Sequence, residues 1–140
     1  MHAARPPALA DVIHDGLDGA LQADVHGLTD GELLEAVVDV YRAEARVAAL
    51  KARLVAELDA RKAFAAVGAQ TAAAWITHRC RVPRGRAGHD VKMARSLRHL
   101  PATEAALADG DITEAHASAV VRHHATSRTT EATVRDEAVL

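Results

Sequence analysis

Basic side chains are concentrated in one short segment of the chain. Between residues 75 and 100 a single acid, Asp90, stands against seven cations: Arg79, Arg81, Arg84, Arg86, Lys92, Arg95 and Arg98. The whole chain of 140 residues carries a formal charge of -2, so this segment is strongly positive within an acidic sequence. Phosphate is the commonest partner of such a cluster, and arginine offers phosphate or guanine a bidentate fork of donors. The cluster predicts a nucleic-acid-binding face made of these seven residues.

The local pattern around the cluster resembles a helix-turn-helix. Thr71 can cap a short helix to about residue 79, Val82 and Pro83 make a turn, and a basic helix follows over 84–99. The inward positions of that helix are Ala87, Val91, Ala94 and Leu97. Gly85 and Gly88 count against a strict helix-turn-helix. An equally weighted alternative is a solvated face whose arginines pair with acids of the preceding long helix.

Other reactive residues give weaker signals. His116 and His123 share a helix face but lie seven residues apart, whereas two ligands of one metal favour a spacing of four; His124 adds no third ligand position. Cys80 is the only cysteine, which excludes an internal disulfide, and we expect it to be partly buried and structural. The sequence shows no phosphate loop, nucleophile elbow or paired carboxylates. No catalytic residue, metal site or cofactor is predicted.

The composition favours an all-α helical bundle. Hydrophobic residues make up 49% of the chain, but alanine supplies many of them, and the aromatic residues are only Tyr41, Phe64 and Trp75. Helices must therefore pack closely, and a nucleic-acid groove built on stacked aromatics is disfavoured.

One long central helix is expected from about residue 30 to 62. Thr29 and Glu32 form a capping box at its start. Its apolar residues at seven-residue intervals are predicted to face the core: Leu33, Val40, Val47 and Leu54. The same spacing permits an intermolecular coiled coil, although Glu44, Lys51 and Glu57 fall near the seam. The alternative function is therefore a protein–protein interaction or dimerisation module that uses this helix, and a homodimer is one such outcome.

Shorter helices complete the predicted domain. We expect a flexible N-terminus over 1–8, a helical domain over 9–125, and a connector with the start of a further helix over 126–140. Within the domain, helices are predicted at 9–25, 101–109 and 114–125, with Gly110 ending the second of these. The last helix runs into Val139 and Leu140 without a polar tail. That pattern predicts the N-terminal part of a longer protein.

Four stretches, spread over residues 30–125, resemble a known family. They are Leu33 to Arg61, Ala73-Ala74-Trp75-Ile76, Ala87 to Pro101, and Ala105 to Ala117 with Gly110-Asp111-Ile112-Thr113. In order and spacing they resemble domain of unknown function 222 of the thirteen-E-twelve repeat family, which is actinobacterial. The resemblance implies an all-helical domain that in many of these proteins precedes an HNH endonuclease module.

The resemblance supplies a nucleic-acid context without catalytic residues. The histidine-rich strand, turn and helix of an HNH nuclease do not occur in these 140 residues. We therefore expect a non-enzymatic domain that binds or positions nucleic acid, with DNA favoured. No apolar run approaches the roughly 18 residues that would span a bilayer, so no membrane partner is predicted and the cytoplasm is the expected location.

Overall fold

The computed structural model describes residues 8–126, and over that range the only regular elements are helices. Six α-helices follow one another: α1 (Asp11–Leu21), α2 (Asp30–Arg61), α3 (Ala72–Cys80), α4 (Arg84–Leu97), α5 (Pro101–Ala108) and α6 (Glu114–Thr126). Short 3-10 turns occupy Val25–Gly27 and Ala63–Val67. The prediction of an all-α fold with one long helix is confirmed. The expected last helix and the expected flexible start lie largely outside the described residues.

The chain divides into two compact units, with the division inside α2 between Val37 and Val38. In the first unit, α1 has an apolar stripe but buries none of its residues. The second unit holds the remainder of α2, the helices α3 to α6 and the buried core. None of the helices within residues 8–126 combines the length and apolar character needed to cross a bilayer.

Side-chain caps begin three of the helices where the sequence predicts them. At α2 the Thr29 hydroxyl accepts the Glu32 N–H at 3.1 Å, and the Glu32 carboxylate accepts the Thr29 N–H at 3.0 Å. These bonds hold the pKa of Glu32 below its ordinary value. Thr71 caps α3 and Thr113 caps α6 in the same way, accepting the N–H groups of Ala74 and His116. Each cap satisfies a backbone donor that the helix itself leaves unpaired.

Gly110 ends the α5 segment, as predicted, and its backbone requires glycine. Its φ of +76° lies in the left-handed region, and a Cβ there would approach the backbone oxygen of Arg42 to 3.3 Å. The turn thus brings the chain directly against α2, where the guanidinium of Arg46 donates to the Ala108 carbonyl at 3.2 Å. This close approach fixes the end of α5 on the second unit's long helix.

The core-facing side of α2 differs from the predicted one. Leu33, Val40, Val47 and Leu54 are 42%, 57%, 47% and 51% exposed, so this stripe does not face the core. The buried residues of α2 are instead all alanines: Ala45, Ala48, Ala49, Ala52 and Ala56. They belong to one apolar cluster with residues of α4, α5 and α6, such as Ala94, Leu107 and Ala117. The small side chains of α2 leave room for the larger ones that the neighbouring helices bring to this cluster, among them Met93, Leu97 and Val121.

The basic helix α4 is oriented by its apolar side, as predicted. Ala87, Val91, Ala94 and Leu97 are all buried. The first two join a second apolar cluster with Phe64, Ala72 and Ile76, while Trp75 is only partly buried beside it. The packing therefore holds α3 against α4 and turns the remaining side of α4 toward solvent.

We expect Ala49→Leu to lower the free energy of unfolding by about 1–3 kcal/mol, because Ala49 is 1% exposed and the added atoms have no space. Urea denaturation followed by circular dichroism measures this change. Ala43→Leu is the matched control, since Ala43 is exposed on the same helix and leucine is a good helix former. Equal stabilities for the two variants would contradict the alanine-faced core.

Candidate nucleic-acid interface

The structure places the seven predicted cations at the end of α3, in the following turn and along α4. All seven are exposed, because the apolar positions of α4 take up its inward side. Their surroundings nevertheless differ, and they separate into a paired and an unpaired group.

Three of the seven cations are paired with carboxylates. Arg95 makes a bidentate pair with Asp59 of α2, with both N–O distances at 2.8 Å. Arg98 approaches Glu57 of the same helix at 3.5 Å. Arg86 reaches Asp90 within α4 at 3.1 Å and Glu114 of α6 at 3.6 Å. The alternative interpretation, in which arginines pair with acids of the long helix, therefore describes Arg95 and Arg98.

The Asp59–Arg95 pair has the clearest electrostatic signature. The pKa of Asp59 is lowered, chiefly because Arg95 donates hydrogen bonds to its ionised form. The positive charges of Arg95, Arg98 and Lys62 act in the same direction, while partial burial acts against it. The pKa of Arg95 is raised by the same hydrogen bonds. This pair serves to join α4 to α2.

The buried carboxylate of Asp90 is satisfied within the protein. It is 8% exposed and lies 3.4 Å from Lys51 and 3.1 Å from Arg86. The one acid of the basic segment is thus neutralised by Lys51 and Arg86 and pairs with no other cation of the segment.

Within residues 8–126, the other four cations have no carboxylate within ion-pairing distance: Arg79, Arg81, Arg84 and Lys92. We call these four residues the α3–α4 cationic surface. The first three fall within six consecutive residues around the α3–α4 turn. Lys92 follows Arg84 by eight residues, about 12 Å along the axis of α4. This spacing provides positive charge over a length that several backbone phosphates would occupy.

The N-terminus of α4 is unusual for a helix start. The residue before it, Pro83, offers no side-chain acceptor to the first N–H groups, and the first turn contains no acid. Arg84 and Arg86 stand there instead, although the positive end of the helix dipole disfavours cations. Uncapped N–H groups with added arginines form an anion-binding arrangement.

Gly88 adds a second departure from ordinary helix composition. It lies inside α4 on the exposed side, and nothing lies within 4 Å of where its Cβ would be. Glycine at such a position costs about 1 kcal/mol relative to alanine. Gly85, also exposed and in open space, lies one turn before it. The two glycines leave the helix backbone bare between Arg84 and Lys92.

An open groove of about 520 Å³ lies at the α3 side of the cationic surface. Its lining includes Trp75, His78 and Arg79, together with small residues of the segment before α3. Trp75 is the single tryptophan of the chain, so its fluorescence reports directly on this groove.

Cys80, at the end of α3, is exposed, and the expectation of a partly buried cysteine is wrong. It falls at the last position of α3, where the helix has already left the apolar cluster that holds Ile76. Across residues 8–126, no three or more His, Cys, Asp or Glu side chains come together in a way that could hold a metal ion.

A comparison with protein families gives one match: the model of a domain of unknown function (DUF222) covers residues 34–139. The chain belongs to this family. The match begins within α2 and includes the whole α3–α4 cationic surface, so this surface is part of the DUF222 domain itself. No curated protein and no solved structure matches the chain.

Sequence reasoning found the cations of this DUF222 domain but not their individual partners. Asp59 and Glu57 lie on α2, and Asp59 is separated from Arg95 by 36 residues. No spacing rule connects residues so far apart, because their contact depends on how α2 packs against α4. The division into paired and unpaired cations is therefore visible only in the structure.

Replacing Asp59 with asparagine should lower the free energy of unfolding at neutral pH by about 1 kcal/mol, the upper range for an exposed ion pair. Because the pKa of Asp59 is depressed in the folded state, its contribution is present above the ordinary aspartate pKa of about 3.9 and is lost as the pH falls below it. Urea midpoints of the two proteins should therefore converge in acid. Asp39→Asn, at an exposed position of α2, is the control. A difference that persists in acid would contradict the ion-pair origin.

Proposed function

We propose that this DUF222 domain is a non-catalytic module that binds duplex DNA through its α3–α4 cationic surface. The observation that carries the proposal is the group of four unpaired cations around the uncapped N-terminus of α4. A phosphate at the N-terminus of α4 would accept hydrogen bonds both from the first backbone N–H groups and from the guanidinium of Arg84. Lys92 would reach a second phosphate farther along the helix.

The glycines of α4 support a close approach by an extended partner. Phosphodiester backbones come near to a helix most easily where no side chain intervenes. Gly85 and Gly88 leave such a gap on the side of α4 that bears Arg84 and Lys92. Two departures from good helix composition on one exposed face are more simply explained by binding than by folding.

Several lines favour DNA among the polyanions. The groove beside the surface is lined by one indole ring, Trp75, and one imidazole ring, His78, which gives little basis for stacking a long run of unpaired bases. The resemblance to thirteen-E-twelve repeat proteins adds the HNH endonuclease context. In this proposal the nuclease chemistry lies in an HNH module, and the helical domain contributes affinity without base-specific contacts.

The proposal assigns different roles to the two groups of cations. Arg79, Arg81, Arg84 and Lys92 contact DNA. Arg86, Arg95 and Arg98 hold α4 to its neighbours through their carboxylate partners. Removing a residue of the second group would weaken binding mainly by disturbing the fold.

The double substitution Arg84→Gln with Lys92→Gln should weaken duplex binding and lower the salt dependence. Each lost phosphate contact reduces the slope of log K against log salt by about 0.9, so the expected reduction is about 1.8. Fluorescence anisotropy of a labelled duplex over a salt series gives both quantities, and Trp75 emission provides a second signal.

A matched control removes the same charge elsewhere. Arg42→Gln with Arg122→Gln changes two exposed arginines on α2 and α6 that, like Arg84 and Lys92, have no ion-pair partner among residues 8–126. The proposal predicts a much smaller effect for this control. Equal losses of duplex affinity in the two double variants would show that only net charge matters. That result would contradict the assignment of DNA binding to the α3–α4 cationic surface.

The substitution Gly88→Ala should separate stability from binding. We expect the free energy of unfolding to rise by about 1 kcal/mol, because alanine is the better helix former and the position is open. Affinity for the duplex should fall, since the added methyl group lies where the backbone of the DNA approaches.

Gly16→Ala is the control for this experiment. Gly16 lies within α1 and is equally open, so alanine should favour the helix there with unchanged affinity for the duplex. If Gly88→Ala binds duplex as tightly as the unsubstituted chain, DNA does not come close to that part of α4.

A further inference from the structure

A seam of mostly apolar side chains runs along the outer side of α2 in the second unit. Its members are Val40, Glu44, Val47, Lys51 and Leu54, at successive spacings of four, three, four and three residues. This alternation is the pattern by which one helix packs against another in a coiled coil. The protein's own core does not use it, because the alanines of α2 face inward on another side.

The large apolar residues of this seam are all about half exposed or more. They form one row of large apolar side chains that the buried core leaves uncovered. An exposed apolar row of this kind is a candidate interaction site. The seam therefore needs an occupant, and its charges indicate which one.

We infer that a second copy of the chain covers this seam, with the two α2 helices antiparallel about Val47. Reversal about Val47 places Val40 beside Leu54 of the partner subunit, seven residues on either side of the centre. It also brings Glu44 to nearly the same level as Lys51 of the partner subunit, and the reciprocal pair forms by symmetry.

The charges decide the orientation. A parallel, in-register pair would place Glu44 against Glu44 of the partner subunit and Lys51 against Lys51 of the partner subunit, which repels at both positions. The antiparallel pair replaces both repulsions with attractions. Such a two-fold arrangement uses the same patch of each copy, as closed dimers do.

Lys51 can serve both sides of this arrangement. It lies 3.4 Å from Asp90 and keeps 37% of its side chain exposed, so its stem lies along α2 while part of it remains open to a partner. The ion pair with Asp90 also restricts the conformation of the Lys51 side chain in the monomer. This holds one of the two charges in place before the copies meet.

The oligomeric state of the chain tests the dimer, with sedimentation velocity or light scattering over a concentration series. We expect a reversible dimer, and we expect Val47→Glu to weaken it by about a hundredfold or more because two carboxylates would meet at the centre. Val67→Glu is the control, since Val67 is also an exposed valine but lies outside α2. Circular dichroism and urea unfolding verify that both variants remain folded.

The orientation needs a second measurement. In a Cys80→Ser background, which removes the exposed native thiol, chains carrying Val40→Cys are mixed with chains carrying Leu54→Cys and oxidised. The antiparallel dimer predicts disulfide-linked heterodimers and little linkage in either variant alone. Linkage of Val40→Cys with itself would show a parallel pair and overturn the inference.

Two further results would also overturn it. One is an unsubstituted chain that stays monomeric throughout the concentration series. The other is a dimer that survives Val47→Glu as well as it survives Val67→Glu. Neither result bears on DNA binding by α3–α4, which is measured separately.

Discussion

The fold depends on the alanine side of α2, against which the neighbouring helices pack larger apolar side chains. Five alanines form the whole buried side of α2, and Ala94 and Ala117 meet them from α4 and α6. The same cluster holds the larger side chains of Met93, Leu97, Leu107 and Val121. Each alanine buries little area, so these larger side chains supply a large part of the apolar area that the cluster removes from water. This explains how a domain with three aromatic residues in the whole chain forms a core.

The packing of α2 against α4 also determines which charged residues are paired. Because α4 lies against α2, the carboxylates of Glu57 and Asp59 reach Arg98 and Arg95. Those arginines then stabilise the helix pair and are not free for a ligand. The cations beyond the reach of these carboxylates, at the α3–α4 turn, keep their charge toward solvent. One packing contact thus separates structural arginines from available ones.

Local features of the chain were predictable because they depend on neighbouring residues only. The capping box of Thr29 and Glu32, the cap at Thr71 and the helix end at Gly110 all follow from residues within four positions of one another. The inward side of α2 was not predictable in this way. Its alanine side and its leucine–valine side both repeat with a helical period, and greater hydrophobicity favours the second. The structure selects the first because larger side chains of α4, α5 and α6 pack against it, which no residue of α2 reveals.

The same distinction applies to the candidate interface. Counting charges located the basic segment correctly, since charge density is a property of the sequence alone. Which arginine is paired depends on contacts such as the one between Asp59 and Arg95, 36 residues apart. The residues of α4 that take no part in such pairs are informative as well. Arg84 at an uncapped helix start and Gly88 inside an exposed helix are both unfavourable for folding, and they lie four residues apart on one face of α4. This local conflict between helix composition and helix stability is the argument for the proposed binding surface on α4.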